Sequence, residues 1–306
     1  MFRFKEMDTP LQVVTLDFLG YPGVVLHVLR EDLIHPHISG NKYRKLYYNI
    51  IEARNKGYKT LLSFGGAYSN HIAALAAVGK EMGFKTIGVI RGDELAHNFE
   101  LNPTLSFARD CGMELYFVSR EEYRFKEKDT FLKNLKEAFG DFYWLPEGGT
   151  NALAVKGCEY ILSERTINFN TIAVAVGTGG TMAGLVRSAA KHQHIIGFSA
   201  LKGVLHQTTI DRYTAKHNYS VVEDHTFGGY GKIDHKLVRF INEFKKNTEI
   251  PLDPIYTGKM MYGLLKLLED GRLKKNSRIL AIHTGGLQGI QGMNQLLKKK
   301  HLPQIE

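Results

Sequence analysis

A lysine does covalent chemistry when its ammonium leaves water and gives up its proton, and Gly40-Asn41-Lys42-Tyr43-Arg44-Lys45-Leu46 offers candidates for that state. An amine set just after a Gly-Asn turn, at the start of a helix, can sit in a cleft and form an imine with a carbonyl. The same run also reads as a solvated helix face. A second segment, Ser63-Phe64-Gly65-Gly66-Ala67-Tyr68-Ser69-Asn70-His71, ends an apolar strand and opens an Ala-rich helix. Its glycines, hydroxyl and amide gather where helix amides point at an anion.

A third segment, Val174-Ala175-Val176-Gly177-Thr178-Gly179-Gly180-Thr181, runs from an apolar strand through a Gly/Thr loop into the helical pattern starting at Met182. Such a turn cradles a phosphate with backbone N–H groups and hydroxyls. It is not a Walker loop, since no Gly-Lys-Ser/Thr closes it, and it lacks the final glycine of a dinucleotide fingerprint. A single phosphate fits better than a pyrophosphate. Two later segments, Leu252-Asp253-Pro254-Ile255-Tyr256-Thr257-Gly258-Lys259 and Ala281-Ile282-His283-Thr284-Gly285-Gly286, place a tyrosine and two threonine hydroxyls at loops before helices.

Taken in this order, the segments resemble the pyridoxal-phosphate enzymes of the 1-aminocyclopropane-1-carboxylate deaminase and D-cysteine desulfhydrase family. The resemblance runs from about Arg30-Glu31-Asp32 to about Gly286. It implies a two-lobed α/β fold with parallel sheets, tryptophan-synthase-beta-like (fold type II). It also implies pyridoxal 5'-phosphate as cofactor, a small amino-acid substrate and a homodimer. In that family the first lysine of the run carries the cofactor, which here is Lys42 rather than Lys45. The Ser-Asn pair maps onto Ser69 and Asn70, which would hold the ring hydroxyl and the substrate carboxylate, with His71 as the next carboxylate neighbour. Ser69 carries a second possible role, as nucleophile for cyclopropane opening. The loop Gly177, Thr178, Gly179, Gly180 and Thr181 would take the cofactor phosphate. Two tyrosines at the substrate face look like Tyr230, in Gly228-Gly229-Tyr230-Gly231, and Tyr256.

Three positions separate the branches of this family. Cyclopropane deaminases look like Tyr-Glu-Gly-Lys where this chain has Tyr256-Thr257-Gly258-Lys259. They also carry Gln after the Ser-Asn pair and Leu before the last Gly-Gly, where this chain has His71 and Thr284. All three resemble the desulfhydrase branch, so the expectation is β-elimination from D-cysteine to pyruvate, sulfide and ammonia. Thr257 is expected to face the pyridine nitrogen as a neutral hydroxyl. The alternatives are cyclopropane ring opening, another β-eliminating deaminase or, outside enzymes, an α/β protein that binds a phosphorylated ligand without chemistry. Plainer readings stand beside the site roles. Tyr256 also reads as a core aromatic, Tyr230 as a loop anchor and His283 as a core histidine. His35-Pro36-His37 lacks a third ligand at a useful spacing, so no metal is expected. Glu147 lines the cleft or caps a helix.

Alternating apolar runs and helical patterns predict the parallel α/β sheets that must position these residues. Strands are expected at 24–29, 60–64, 86–90, 114–118, 142–145, 172–176, 195–198 and 278–283. The Ala-rich helix after Asn70 is apolar nearly all round and should be buried. Pro146-Glu147-Gly148-Gly149-Thr150-Asn151 reads as the crossing between lobes. A small lobe, 48–148, is then inserted into a large cofactor-binding lobe made of 1–47 and 149–306. With 306 residues, 43% hydrophobic and 23% charged, the chain can bury one large core or two smaller ones. The excess of 40 Lys+Arg over 31 Asp+Glu is dispersed or sits at helix ends, without an aromatic-interleaved basic patch, so nucleic acid is not expected. No stretch reaches the ~18 apolar residues of a membrane span, and residues 1–6 lack an apolar leader, which points to the cytoplasm. Cys111 and Cys158 are too few for a disulfide framework.

Overall fold

The computed structural model describes residues 8–203, 206–274 and 277–306. The leader reading of residues 1–6 lies outside these. Strands β1 (Leu11–Thr15) and β2 (Val25–Leu29) form an antiparallel pair ahead of helix α1 (Asn41–Asn55). Next come β3 (Thr60–Gly65), α2 (Asn70–Met82), β4 (Lys85–Arg91), α3 (Pro103–Asp110), β5 (Met113–Val118), α4 (Asp129–Phe139) and β6 (Tyr143–Leu145). The chain continues through α5 (Ala152–Cys158), β7 (Thr171–Val176), α6 (Gly180–Ser188), β8 (His194–Ser199), α7 (His206–Asp211) and β9 (Tyr219–Val222). It ends with α8 (His235–Thr248), α9 (Thr257–Glu269), β10 (Ile279–Ile282) and α10 (Gly289–Lys299).

Two sheets result. The order β5-β4-β3-β6 is wholly parallel, and β1-β2-β10-β7-β8-β9 is parallel except for β1. The fold is the expected α/β class with parallel-dominated sheets. All six residues of β7 are buried, which is why this strand reads as an unbroken apolar run rather than an alternation. Each sheet is covered on both faces. In the six-stranded sheet one core joins Phe244, Met260 and Leu264 of α8 and α9, and the opposite core joins Val155, Met182 and Val186 of α5 and α6. In the four-stranded sheet, Leu46 and Ile50 of α1 and the apolar face of α2 cover one side, and Phe131 and Leu135 of α4 pack on the other.

Two strands were not anticipated. β1 and β9 are the edges of the six-stranded sheet, where burial on one face only, with Val13 exposed, leaves a weak apolar pattern. α1 also runs unbroken past residue 48, the expected lobe boundary. Its C-terminal half packs with the four-stranded sheet, while its N-terminal half crosses α5 closely. A Cβ at Gly157 of α5 would lie 1.9 Å from the Arg44 carbonyl oxygen, so only glycine lets the two helices meet there. The N-termini of α1, α2, α6 and α9 thereby converge with the ends of β7 and β10 on one cleft.

Candidate active site

Lys42 enters the cleft because α1 starts hard against the loop after β10. Gly40 has φ +61, and a Cβ there would lie 1.9 Å from the Thr284 carbonyl oxygen. The Asn41 amide donates to that same oxygen at 3.2 Å, and its side-chain amide donates to Thr181 Oγ1 at 2.8 Å. Arg44 is not a solvated cation. It is 5% exposed and grips the buried carboxylate of Glu31 through Nε and Nη2, each at 2.8 Å, which fixes the rotation of the helix. The reading of this run as a solvated helix face therefore fails.

The two lysines have different surroundings. Lys45 is 2% exposed, and its Nζ donates to the Gly148 carbonyl at 2.7 Å and Thr150 Oγ1 at 2.8 Å, with Thr178 Oγ1 at 3.4 Å. Its amine is committed to holding two loops together. Lys42 lines the cleft and its Nζ has no hydrogen-bond partner among the described residues. Burial lowers Lys42 to about 8, against a smaller opposing pull from Cys158 and Asp253. Burial, reinforced by the charge of Lys42, also holds Lys45 well below its ordinary range. Cys158 beneath them is a free thiol, pushed up to about 11 by burial, and so stays protonated.

Ser69 and Asn70 stand at the start of α2 and line the same cleft. The Ser69 hydroxyl caps the helix, accepting from the Ile72 amide at 3.3 Å. Asn70 Oδ1 accepts from Gln288 Nε2 at 2.8 Å. His71 is 1% exposed, with Nε2 2.9 Å from Ser63 Oγ. Ser63 gives its single hydrogen to the Leu145 carbonyl at 2.9 Å, so in the contact with His71 the ring nitrogen must be the donor. Nδ1 is then an acceptor, buried and without a partner among the described residues. Burial and the charges of Lys42 and Lys45 hold His71 well below its ordinary range and therefore neutral. Its side chain offers the site a lone pair rather than a cation. A carboxylate here is served by Ser69, Asn70 and the first-turn amides of α2.

Residues 177–181 wrap the enclosed end of the cleft. Gly179 is left-handed at φ +83 and no side chain caps α6, which leaves the first amides of that helix for an external acceptor. Beside them stand Thr178 and Thr181, with Lys45 behind. No Asp or Glu is among the residues lining this end. An uncapped helix N-terminus, hydroxyls and a buried amine suit a phosphate, and the free amine of Lys42 nearby suits an aldehyde. These residues therefore fit pyridoxal phosphate.

The far wall carries Tyr256 and Tyr230, whose ring centroids are 6.2 Å apart and whose hydroxyls share a hydrogen bond. Burial drives Tyr256 well above its ordinary value, and partial desolvation against the cleft raises Tyr230, which stays 44% exposed. Thr257 is bonded to Asp253 in this structure. It is fully buried, its hydroxyl donates to Asp253 Oδ1 at 2.7 Å, and it is not among the residues lining the cleft. Thr284 lines the cleft instead. The Asp253 carboxylate accepts from the Ile255, Tyr256 and Thr257 amides as well, so this side chain builds the turn that presents Tyr256. Arg91 and Glu147 complete the mouth, with Glu147 accepting from the Tyr123 hydroxyl at 2.9 Å.

Sequence reasoning gave no role to Lys45, Asp253 or Lys259, although all three lie inside the quoted motifs. Asp253 carried the one legible signal, an acid four residues before the helix start. His283 is a core histidine, as its plainer reading has it, bonded to the Pro251 carbonyl at 2.7 Å. His35 instead pairs with Glu81 at 3.2 Å, and no group of three potential metal ligands occurs among the described residues.

A family profile described as "Pyridoxal-phosphate dependent enzyme" matches residues 3–285. The chain belongs to that family. A Thermotoga maritima protein provisionally named 1-aminocyclopropane-1-carboxylate deaminase is 32% identical, over 90% of this chain and 93% of its own. The Arabidopsis thaliana bifunctional D-cysteine desulfhydrase/1-aminocyclopropane-1-carboxylate deaminase, mitochondrial, is 28% identical, over 94% of this chain and 79% of its own. A crystal structure described as an ACC deaminase homologue superposes with a TM-score of 0.82 at 27% identity, covering 97% of this chain and 95% of that one. Within the pyridoxal-phosphate enzymes the chain is thus a member of the 1-aminocyclopropane-1-carboxylate deaminase and D-cysteine desulfhydrase family, an enzyme that uses this cofactor. Among the described residues no helix is long and apolar enough to cross a membrane.

Proposed function

We propose that the protein deaminates a small amino acid to a 2-oxo acid and ammonia, with D-cysteine as the substrate the cleft suits best. The observation that carries the choice is Thr284 lining the cleft where cyclopropane deaminases look like Leu, together with Thr257 in the chain where they look like Glu. When bound there, pyridoxal phosphate supplies an aldehyde for amines to add to and a conjugated ring that draws electrons from the substrate Cα bonds. A ring whose nitrogen meets no carboxylate is a weaker electron sink. That suits loss of a good leaving group such as thiolate.

The protein's own residues supply the rest. Lys42, unpaired and lowered to about 8, can hold the cofactor and take the proton from Cα. Ser69 and Asn70 orient the carboxylate at the N-terminus of α2. Tyr256 and Tyr230 remain protonated near neutrality, so they serve as hydrogen-bond donors toward the departing sulfur rather than as bases. Residues 177–181, braced from behind by Lys45, anchor the phosphate and so fix the ring in register with Lys42. We carry the two-lobe division, the homodimer and cytoplasmic residence as parts of the same proposal.

A second reading, cyclopropane ring opening, has its own support. The relatives nearest 30% identity bear that name, and the comparisons therefore weigh toward it and away from the ranking taken from the sequence. Assay of the purified holoenzyme for ammonia and 2-oxo acid with D-cysteine, L-cysteine and 1-aminocyclopropane-1-carboxylate separates them. Pyruvate and sulfide from D-cysteine are expected. Release of 2-oxobutyrate with higher kcat/KM would establish the second reading.

A further inference from the structure

Lys259, in the first turn of α9, is 2% exposed, and the Asp253 carboxylate is the charge that acts on it. Burying an ammonium is costly unless the surroundings give it acceptors. Here both acceptors belong to one loop. Nζ donates to the Thr226 carbonyl at 2.8 Å and the Gly229 carbonyl at 2.7 Å. Residues 226–231 form no strand or helix and follow an unusual path. Phe227 is left-handed at φ +52, and Gly228, Gly229 and Gly231 lie at φ +90, +105 and +67. Within the loop itself the backbone bonds are Gly229 to Thr226 at 3.0 Å and Lys232 to Gly229 at 3.3 Å. A peptide that departs so far from ordinary backbone holds one shape only if something outside it fixes it.

Tyr230 follows Gly229 directly. Its ring meets that of Tyr256, and the Tyr256 amide is held by Asp253 Oδ2 at 2.9 Å. One short segment thus holds both phenols from behind. Asp253 fixes the turn of Tyr256, and Lys259 fixes the loop of Tyr230. We infer that Lys259 is a positioning residue whose ammonium sets Tyr230 against Tyr256 at the substrate face without itself touching substrate. Burial that lowers Lys259 to about 8 is the cost of placing an amine there.

The inference rests on the reading that the tyrosine pair serves the reaction, and the test separates the two. Lys259→Met, Tyr230→Phe and the double variant are compared as holoenzymes, with D-cysteine and 1-aminocyclopropane-1-carboxylate as probes. Hydrogen exchange of the loop amides is followed in parallel. Lys259→Met should keep cofactor colour and affinity, speed exchange at residues 228–231 and lower kcat about tenfold. The double variant should be no slower than the worse single variant, because both changes remove one function. Should Lys259→Met not fold, Lys259→Gln, which keeps a side-chain donor, should fold and fall between it and the parent. Unchanged loop exchange, an undiminished kcat, or losses that multiply in the double variant would overturn the inference. A Tyr230→Phe variant with full kcat would instead overturn the role of the tyrosine pair.

Discussion

Lys42 and Lys45 lie one helical turn apart in the same motif, yet only Lys42 has an uncommitted amine. Lys42→Ala should abolish the yellow absorbance of the lysine-bound cofactor together with catalysis. Lys45→Ala should keep the colour while weakening cofactor affinity, since it frees Gly148, Thr150 and Thr178. The lowered amine has a second consequence in the apoprotein. Between about 8 and its ordinary value of 10.5 the folded state binds fewer protons at Lys42 than the unfolded state does. Stability at this site therefore rises with pH across that window and is lowest below it. Lys42→Met should stabilise the apoprotein at pH 7, by up to about 3 kcal/mol, with the gain falling to about 1 kcal/mol by pH 10. Denaturant titrations at the two pH values check it, and a pH-independent difference would show that the folded amine keeps its ordinary pKa. The place of Lys42 in the cleft was legible because it sits in a short contiguous motif. The place of Thr257 was not. Whether a hydroxyl faces a cleft or a neighbouring carboxylate depends on Asp253, whose turn forms only in the folded chain.

At the scale of elements, the site is assembled from helix starts whose backbones approach closely. Gly179 sits at φ +83 where α6 begins, and a Cβ there would meet Thr209 at 3.2 Å. Gly179→Val should raise the Kd for pyridoxal phosphate at least tenfold, with a smaller effect on the fold than on the amide cradle. A folded variant with unchanged affinity would place the phosphate elsewhere. Gly40→Ala is expected to be more severe. Its methyl would strike the Thr284 backbone, pushing α1 off the loop that Asn41 binds, so both thermal stability and cofactor uptake should fall. The helices and the interior strands β2, β3, β4, β7, β8 and β10 could be read from sequence because they are largely buried, and β5 and β6, edges of the four-stranded sheet, still carry short apolar runs. β1 and β9 could not, since each buries a single residue and so leaves almost no apolar pattern.

At the scale of the molecule, two parallel-dominated sheets present their loops to one cleft, and the chain changes sheet along α1 and again near residues 146–151. The cleft has Arg91 and Glu147 at its mouth, while the enclosed end near residues 177–181 is lined by no acid. Substrate preference should follow that contrast. Thr284→Leu should move the kcat/KM ratio toward 1-aminocyclopropane-1-carboxylate and away from D-cysteine. Thr257→Glu should chiefly destabilise, because it would bury a second carboxylate against Asp253. All of this presupposes that loops from both sheets meet around a cofactor held by one amine. Borohydride reduction of the holoenzyme, followed by peptide mapping, tests that claim most directly. The reduced cofactor should be found on Lys42 alone. An adduct on Lys45 or another lysine, or no adduct in yellow enzyme, would contradict it.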